Sequence, residues 1–140
     1  MKPLKFLYHN ILLSLTYTFL GLLGIYFALN SGNVNVFWPP SGLAIACAYL
    51  FGPYVYPGIF IGSLLVNSIG LYLSNFNFGD FSWIALSSLL ALGALTQSIF
   101  GSILLHRCRD FKTKLETAGD VICFFVLGGL VSSLLSASVA

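Results

Sequence analysis

Two consecutive prolines set in a long uncharged apolar stretch restrict this chain more than any other feature. In Phe37-Trp38-Pro39-Pro40-Ser41-Gly42 the prolines carry no backbone N–H and fix φ, so Phe37 and Trp38 are held extended. Pro40 suits the first position of a helix running from Ser41 to Phe51, and Gly52-Pro53 ends it. From Pro40 to Phe51 such a helix rises only ~18 Å at ~1.5 Å per residue. The hydrocarbon core of a bilayer is about 30 Å thick, so this helix alone does not cross it comfortably. Two readings follow. The plainer one, which the residues favour, is a short helix that starts at the membrane surface with proline as an ordinary first residue. The sharper one is a broken segment whose N–H groups at Ser41 and Gly42 face a protein-lined cavity.

That a membrane is the relevant solvent follows from composition. The chain is 58% hydrophobic and 7% charged, with mean hydropathy +0.94. A soluble domain carries ~25% charged residues, and this one lacks the polar side chains to clothe a water-facing surface. At 140 residues it is one domain. A net charge of +2 with no basic patch among aromatics excludes nucleic acid as a partner. Cys47, Cys108 and Cys123 are odd in number and show no CxxC spacing, so neither a disulfide framework nor a metal site is expected. Cys47 and Cys123 read as small buried hydrophobes and Cys108, between two arginines, as a surface thiol.

Along the chain, Lys2 and Lys5 precede an apolar run from Ile11 to Leu29 that has no small-x-small cleavage site, which predicts a retained transmembrane helix. Asn30-Ser31-Gly32-Asn33 ends it, and an extended Val34–Phe37 leads into the diproline helix. Pro57-Gly58 opens a helix through Leu73. Its Gly58 and Gly62 make a GxxxG with Gly70 further along, and Ser63, Asn67, Gly70 and Ser74 share one helical face. That face is predicted to meet protein rather than lipid. After a polar loop from Asn75 to Asp80, Phe81 to Leu105 is predicted helical, with Gly93, Gln97 and Gly101 on one side. A cluster from His106 to Glu116 holds most of the charge, and Val121 to Ala140 is a last apolar run.

The positive charges set the crossing number. Lys2 and Lys5 assign the N-terminus to the cytoplasm, and Arg107, Arg109, Lys112 and Lys114 demand the same side for their loop. An even number of crossings lies between them. Separate passes for the diproline helix and the Pro57 helix give four, and the terminal run a fifth. Tyr54 and Tyr56 on one side, and Phe37-Trp38, Phe78, Phe81 and Trp83 on the other, suit interfacial aromatic belts.

Chemistry is sparse. No ionisable residue falls inside the predicted spans, which argues against a proton-coupled pump. Asn67 and Gln97 are the strongest polar groups at depth. Hydrogen bonding between helices is the first reading for them, and a ligand pocket near the diproline the second. His9 and His106, both at cytoplasmic helix ends, are the only imidazoles. Ser132, Ser133, Ser136 and Ser138 serve close helix contact. With no nucleophile–base pair, phosphate loop or carboxylate dyad, the chain is expected not to be an enzyme and to need no cofactor.

The ordered set Trp38-Pro39-Pro40-Ser41-Gly42-Leu43-Ala44, Phe51-Gly52, Tyr56-Pro57-Gly58-Ile59-Phe60-Ile61-Gly62 and Asn67 resembles the first MASE family of membrane-associated sensor domains. Ala91-Leu92-Gly93 with Gln97 and Gly101, and Asp120-Val121-Ile122, are similar to that family's next segments. Family members typically place basic residues between the Phe-Gly and Pro-Gly elements, and Pro53 to Val55 here have none. The resemblance covers nearly the whole chain, but about the first half of the family's domain. It implies a bacterial inner-membrane input domain, usually joined to a histidine kinase, a diguanylate cyclase or a phosphodiesterase module. No such module follows Ala140, so a truncated gene product or a fragment is expected.

The expected fold is therefore an all-α, polytopic transmembrane bundle of about five helices, one of them short and proline-initiated, in a partial sensor domain over residues 1–140. The expected function is sensory input by ligand- or partner-biased helix packing, with Trp38, Pro39, Pro40, Ser41, Gly42, Asn67 and Gln97 as the candidate ligand site. The alternative is a small substrate-binding membrane component of a transporter. Expected partners are the lipid bilayer and either another membrane protein or a second copy of this chain.

Overall fold

Proline and glycine place the helix boundaries. The computed structural model describes residues 3–30, 38–73, 82–107 and 126. It contains α1 (Pro3–Asn30), α2 (Pro39–Phe51), a 3-10 turn (Gly52–Val55), α3 (Tyr56–Leu73) and α4 (Ser82–Arg107). Both prolines of the diproline lie inside the first turn of α2, where the missing N–H groups have no intrahelical acceptor to lose. Gly52 closes α2 with φ +62°, a left-handed conformation that glycine adopts without a Cβ penalty. Pro53 then tightens the chain into the 3-10 turn, and α3 leaves from Tyr56.

All described elements are helical, and three stretches are long and apolar enough to cross a membrane: Leu4–Phe27, Pro39–Leu73 and Trp83–Arg107. The expected count of about five helices is not matched. The middle stretch is 35 residues long; as one straight helix it would run about 52 Å, far beyond the ~30 Å core. It does not run straight. Asn10 of α1 lies against Gly58, Tyr17 against Gly62, Gly21 against Val66 and Ile25 against Gly70, so α1 and α3 run in the same direction. Ile45 lies against Gly101 and Tyr49 stacks on His106, so α2 and α4 share a direction. The His9 and Phe51 rings meet at 6.2 Å, which sets the start of α1 beside the end of α2. The chain therefore comes down α2, reverses at Gly52–Val55 and goes back along α3.

The predicted bounds shift modestly. The first helix begins at Pro3 rather than Ile11: Pro3 suits a first helical position, and Leu4, Lys5 and Leu7 are good helix formers. The diproline helix includes Pro39, and the fourth ends at Arg107 rather than Leu105. The extended Val34–Phe37, the loop from Asn75 to Asp80, the charge cluster beyond Arg107 and, apart from Val126, the terminal run Val121–Ala140 with its serines lie outside the described residues.

Small residues set the closeness of α1 and α3. A Cβ on Gly62 would stand 2.9 Å from Tyr17 Cβ, and one on Gly58 2.9 Å from the Asn10 backbone oxygen. On Gly21 it would overlap Val66. The glycine face of α3 thus packs against α1, as its small-residue spacing predicts. Between these helices and α2 lies a core of Leu13, Tyr17, Ala44, Ala48, Val55, Ile59 and Val66. Cys47, half-buried and free, packs at its margin. The opposite side of α1 exposes Leu4, Leu7, Ile11, Leu15, Phe19 and Phe27.

Candidate functional site

Halfway along α1 the packing opens into a cavity of about 200 Å³ whose wall mixes apolar and polar groups. Tyr17 comes to it from α1, and Trp38 and Ser41 from the start of α2. Ser63 and Asn67 line it from α3, and Leu90, Ala94, Gln97 and Ser98 from α4. Each described helix contributes. The start of α2 at Pro39 sets Trp38 and Ser41 beside Tyr17 at this level.

A hydrogen-bond chain crosses the cavity wall. Asn67 Nδ2 donates to the Ser63 carbonyl at 2.8 Å and to Ser63 Oγ at 3.1 Å. The Ser63 hydroxyl and the Trp38 indole N–H both reach the Tyr17 phenol oxygen. Three helices are thereby tied at one level by neutral groups. Tyr17, Ser63 and Ser98 are each only 1% exposed. In so dry a setting each polar atom needs a partner, and most find one on the protein.

Of the residues expected at the site, Trp38, Ser41, Asn67 and Gln97 come together around the cavity, while Pro39, Pro40 and Gly42 do not line it. Pro40 is buried in the helix contact instead, and the space a Gly42 side chain would occupy is empty to 4 Å. The diprolines act by ending α2 early. The helix also does not begin at the end of the bundle, as the plainer reading held: Trp38 and Ser41 share the cavity with Tyr17, near the midpoint of α1.

Two expected connections are rewired. The Ser41 N–H and hydroxyl both donate to the Trp38 carbonyl, at 3.2 and 2.9 Å, so this N–H is not held open for a ligand. The same bonds satisfy the Trp38 carbonyl. Asn67 bonds along its own helix rather than between helices, and its link to α1 runs through Ser63.

Sequence reasoning passed over Tyr17, Ser98 and Asn10. A signal for two of them exists: Asn10, Ser14, Tyr17, Gly21 and Gly24 fall at offsets 0, 4, 7, 11 and 14, and all are buried. Asn10 works at the far end of this face. Its Nδ2 donates to the Phe6 and Tyr54 carbonyls, both at 2.9 Å, and its Oδ1 accepts the Gly58 N–H at 2.7 Å. Gly58 sits in the first turn of α3, where N–H groups lack intrahelical acceptors. Asn10 is thus a helix cap supplied from another helix.

The electrostatics are those of a neutral interior. Among the described residues no carboxylate occurs, and the cations Lys5 and Arg107 lie at the end of the bundle where α1 starts and α4 stops. His9 and His106 lie at that end too, His106 stacked on Tyr49 with centroids 4.4 Å apart. No group of three or more metal-ligating side chains occurs among the described residues.

The chain belongs to the MASE1 family, whose model matches residues 9–140. No curated protein and no solved structure matches it. The family is one of membrane-associated sensor domains, and with the apolar helices described above it makes this a multi-pass membrane protein.

Proposed function

We propose that this chain is the sensory input domain of a bacterial signalling protein of the inner membrane, its N-terminus in the cytoplasm and its output a cytoplasmic kinase or cyclic-di-GMP module. It is not an enzyme and uses no cofactor. The bilayer surrounds it, and a second membrane protein or a second copy packs on it. In this reading α1, α2, α3 and α4 are four passes, the second entering as an extended segment, and residues 121–140 form a fifth.

The observation that carries the reading is the cavity at the start of α2, walled by Tyr17, Trp38, Ser41, Asn67 and Gln97, in a bundle whose described residues carry charge only at one end. A cavity there joins three helices through Tyr17, Trp38 and Ser63, and an occupant touches the first turn of α2, whose packing it can bias between two states. A ligand shifts such an equilibrium only by its differential affinity for the two packings, about 10⁴-fold for a complete switch. Lys5 and Arg107 at one end support the cytoplasmic assignment of that end.

The test is a fusion of the chain to a diguanylate cyclase module, read as cyclic-di-GMP across growth conditions. The fusion is expected to vary its output. Replacing Pro39 and Pro40 with alanine lets α2 extend into the cavity, and the double variant is expected to hold one output level at unchanged membrane abundance. A fusion that never varies would defeat the sensor reading. A double variant that varies like the parent would reduce the break to architecture.

A further inference from the structure

We infer that a small cleft between the start of α1 and the turn after α2 binds one anionic phospholipid, with a stretch of acyl chain in the cleft and the phosphate on Lys5. The inference needs only that the chain lies in a bilayer. It stands apart from the sensor reading above.

The cleft is built where the chain reverses. His9 comes to it from α1, Phe51 from the end of α2, and Tyr54 and Val55 from the 3-10 turn. It encloses about 80 Å³, and its surface is almost entirely carbon. Val55 is buried at its base, whereas His9, Phe51 and Tyr54 are exposed, so the cleft opens outward rather than into the bundle. A polar solute held there would leave its hydrogen bonds unmade, whereas a few methylene groups lose nothing. The cleft thus suits part of one hydrocarbon chain.

A cation stands one turn beyond it. Lys5 is exposed and lies four residues before His9, on the same face of α1 and about 6 Å nearer its start. His9 Nδ1 is 2.6 Å from the Lys5 carbonyl oxygen, which can only accept, so the ring N–H donates and pins the imidazole to the Lys5 turn. Apolar surface followed by a cation toward the end of the bundle is the order of groups along a phospholipid: chain, then phosphate. The Tyr8 ring meets His9 edge-on at 5.9 Å, and exposed Tyr8 and Tyr54 flank this level as rings at a bilayer interface do. A zwitterionic lipid carries its own cation beside the phosphate and gains less from Lys5 than an anionic one. Arg107 belongs to a different place. Tyr49 and Phe51 are two residues apart, about 200° around α2, so His106 on Tyr49, with Arg107 beside it, lies across α2 from His9 on Phe51.

The test is lipid retention by the full chain, purified in mild detergent with equal amounts of phosphatidylglycerol and phosphatidylcholine of the same acyl chains and read by native mass spectrometry. One phosphatidylglycerol is expected to stay bound, favoured about fivefold over phosphatidylcholine. Lys5→Gln should bring that ratio close to one. Arg107→Gln, the same change of charge across α2, should leave it within about twofold of the parent. Both residues are exposed, so neither variant threatens the fold. Phe51→Ala, which removes a wall of the cleft, should lower retention of both lipids about threefold and keep their ratio. Glycerol 3-phosphate, the head without the chain, should not displace the bound lipid. Equal losses in the two charge variants would mean diffuse attraction to a basic end and would overturn the site. A parent chain with no preference, or with no lipid retained, overturns the anionic phospholipid as occupant. Displacement by glycerol 3-phosphate would put a free phosphate in its place. Each of these outcomes leaves the sensor reading untouched, because none is read through the output.

Discussion

Replacing Asn10 with alanine should destabilise this bundle more than any other single loss of a polar side chain on α1. The substitution removes the Oδ1 that holds the Gly58 N–H at 2.7 Å and the Nδ2 that holds the Tyr54 carbonyl at 2.9 Å. Asn10 is 7% exposed and Gly58 is buried, so water does not readily replace the lost acceptor. An orphaned buried N–H costs about 1–3 kcal/mol. The Tyr54 bond between helices adds about 0.6 kcal/mol on the membrane-protein scale. The bond to Phe6 adds little, since that carbonyl is already inside α1. The sum is about 1.6–3.6 kcal/mol, or roughly a 15- to 400-fold shift in the unfolding equilibrium. Reversible unfolding of the purified chain by sodium dodecyl sulfate in mixed micelles measures it. Thr16→Ala is the control, because Thr16 only returns its hydroxyl to the Leu12 carbonyl of its own helix. If Asn10→Ala falls within about 0.5 kcal/mol of that control, the side chain does not cap α3, and the account of the first turn is wrong.

Gly62→Leu should lower folded yield in mild detergent far more than Leu65→Ala, because a Cβ at 62 already stands 2.9 Å from Tyr17 Cβ whereas Leu65 is 42% exposed; equal yields would remove the packing role of the glycine face. Gly101→Leu should separate α2 from α4, since its Cβ would sit 3.1 Å from Ile45, and cysteine crosslinking between positions 49 and 106 should fall in that variant; undiminished crosslinking would refute the contact. Reporter fusions at Asn33, Asn75 and Lys112 should read outside, outside and inside, and an outward reading at Lys112 would sink the four-pass topology.

The sequence by itself determined a good deal here, wherever the cause was local. Charge scarcity, the apolar runs and the turn at Gly52-Pro53 depend on residues and their chain neighbours, and these placed the helices to within a few residues. The exception is the start of α1, where Met1 to Asn10 read only as a lysine-bearing stretch before the apolar run. The diproline break was legible for the same reason: a proline lacks its N–H whatever surrounds it. Asn67 and Gln97 could be picked out because amides are rare in apolar runs.

What only the tertiary structure decided was the partner of each group and the depth of each end. Nothing near Asn10 in the chain says that it caps Gly58, 48 positions away. Tyr17 looked like one more aromatic in an apolar run until α1 and α3, packed side by side through Gly62, put its hydroxyl beside Ser63 and Trp38. The sharper reading of the diproline held the Ser41 N–H open; a nearby carbonyl in the right orientation took it, since an unpaired polar group is costly where water is scarce. Likewise, a helix too short to span says only that one end falls inside or at a surface. That Trp38 falls inside follows from α2 lining up with the second half of α4, where Ile45 fits against Gly101 and Tyr49 against His106. Helix formation needs only residues close in the chain, whereas a cavity is the space that four separately formed helices fail to fill, and its shape belongs to none of them alone.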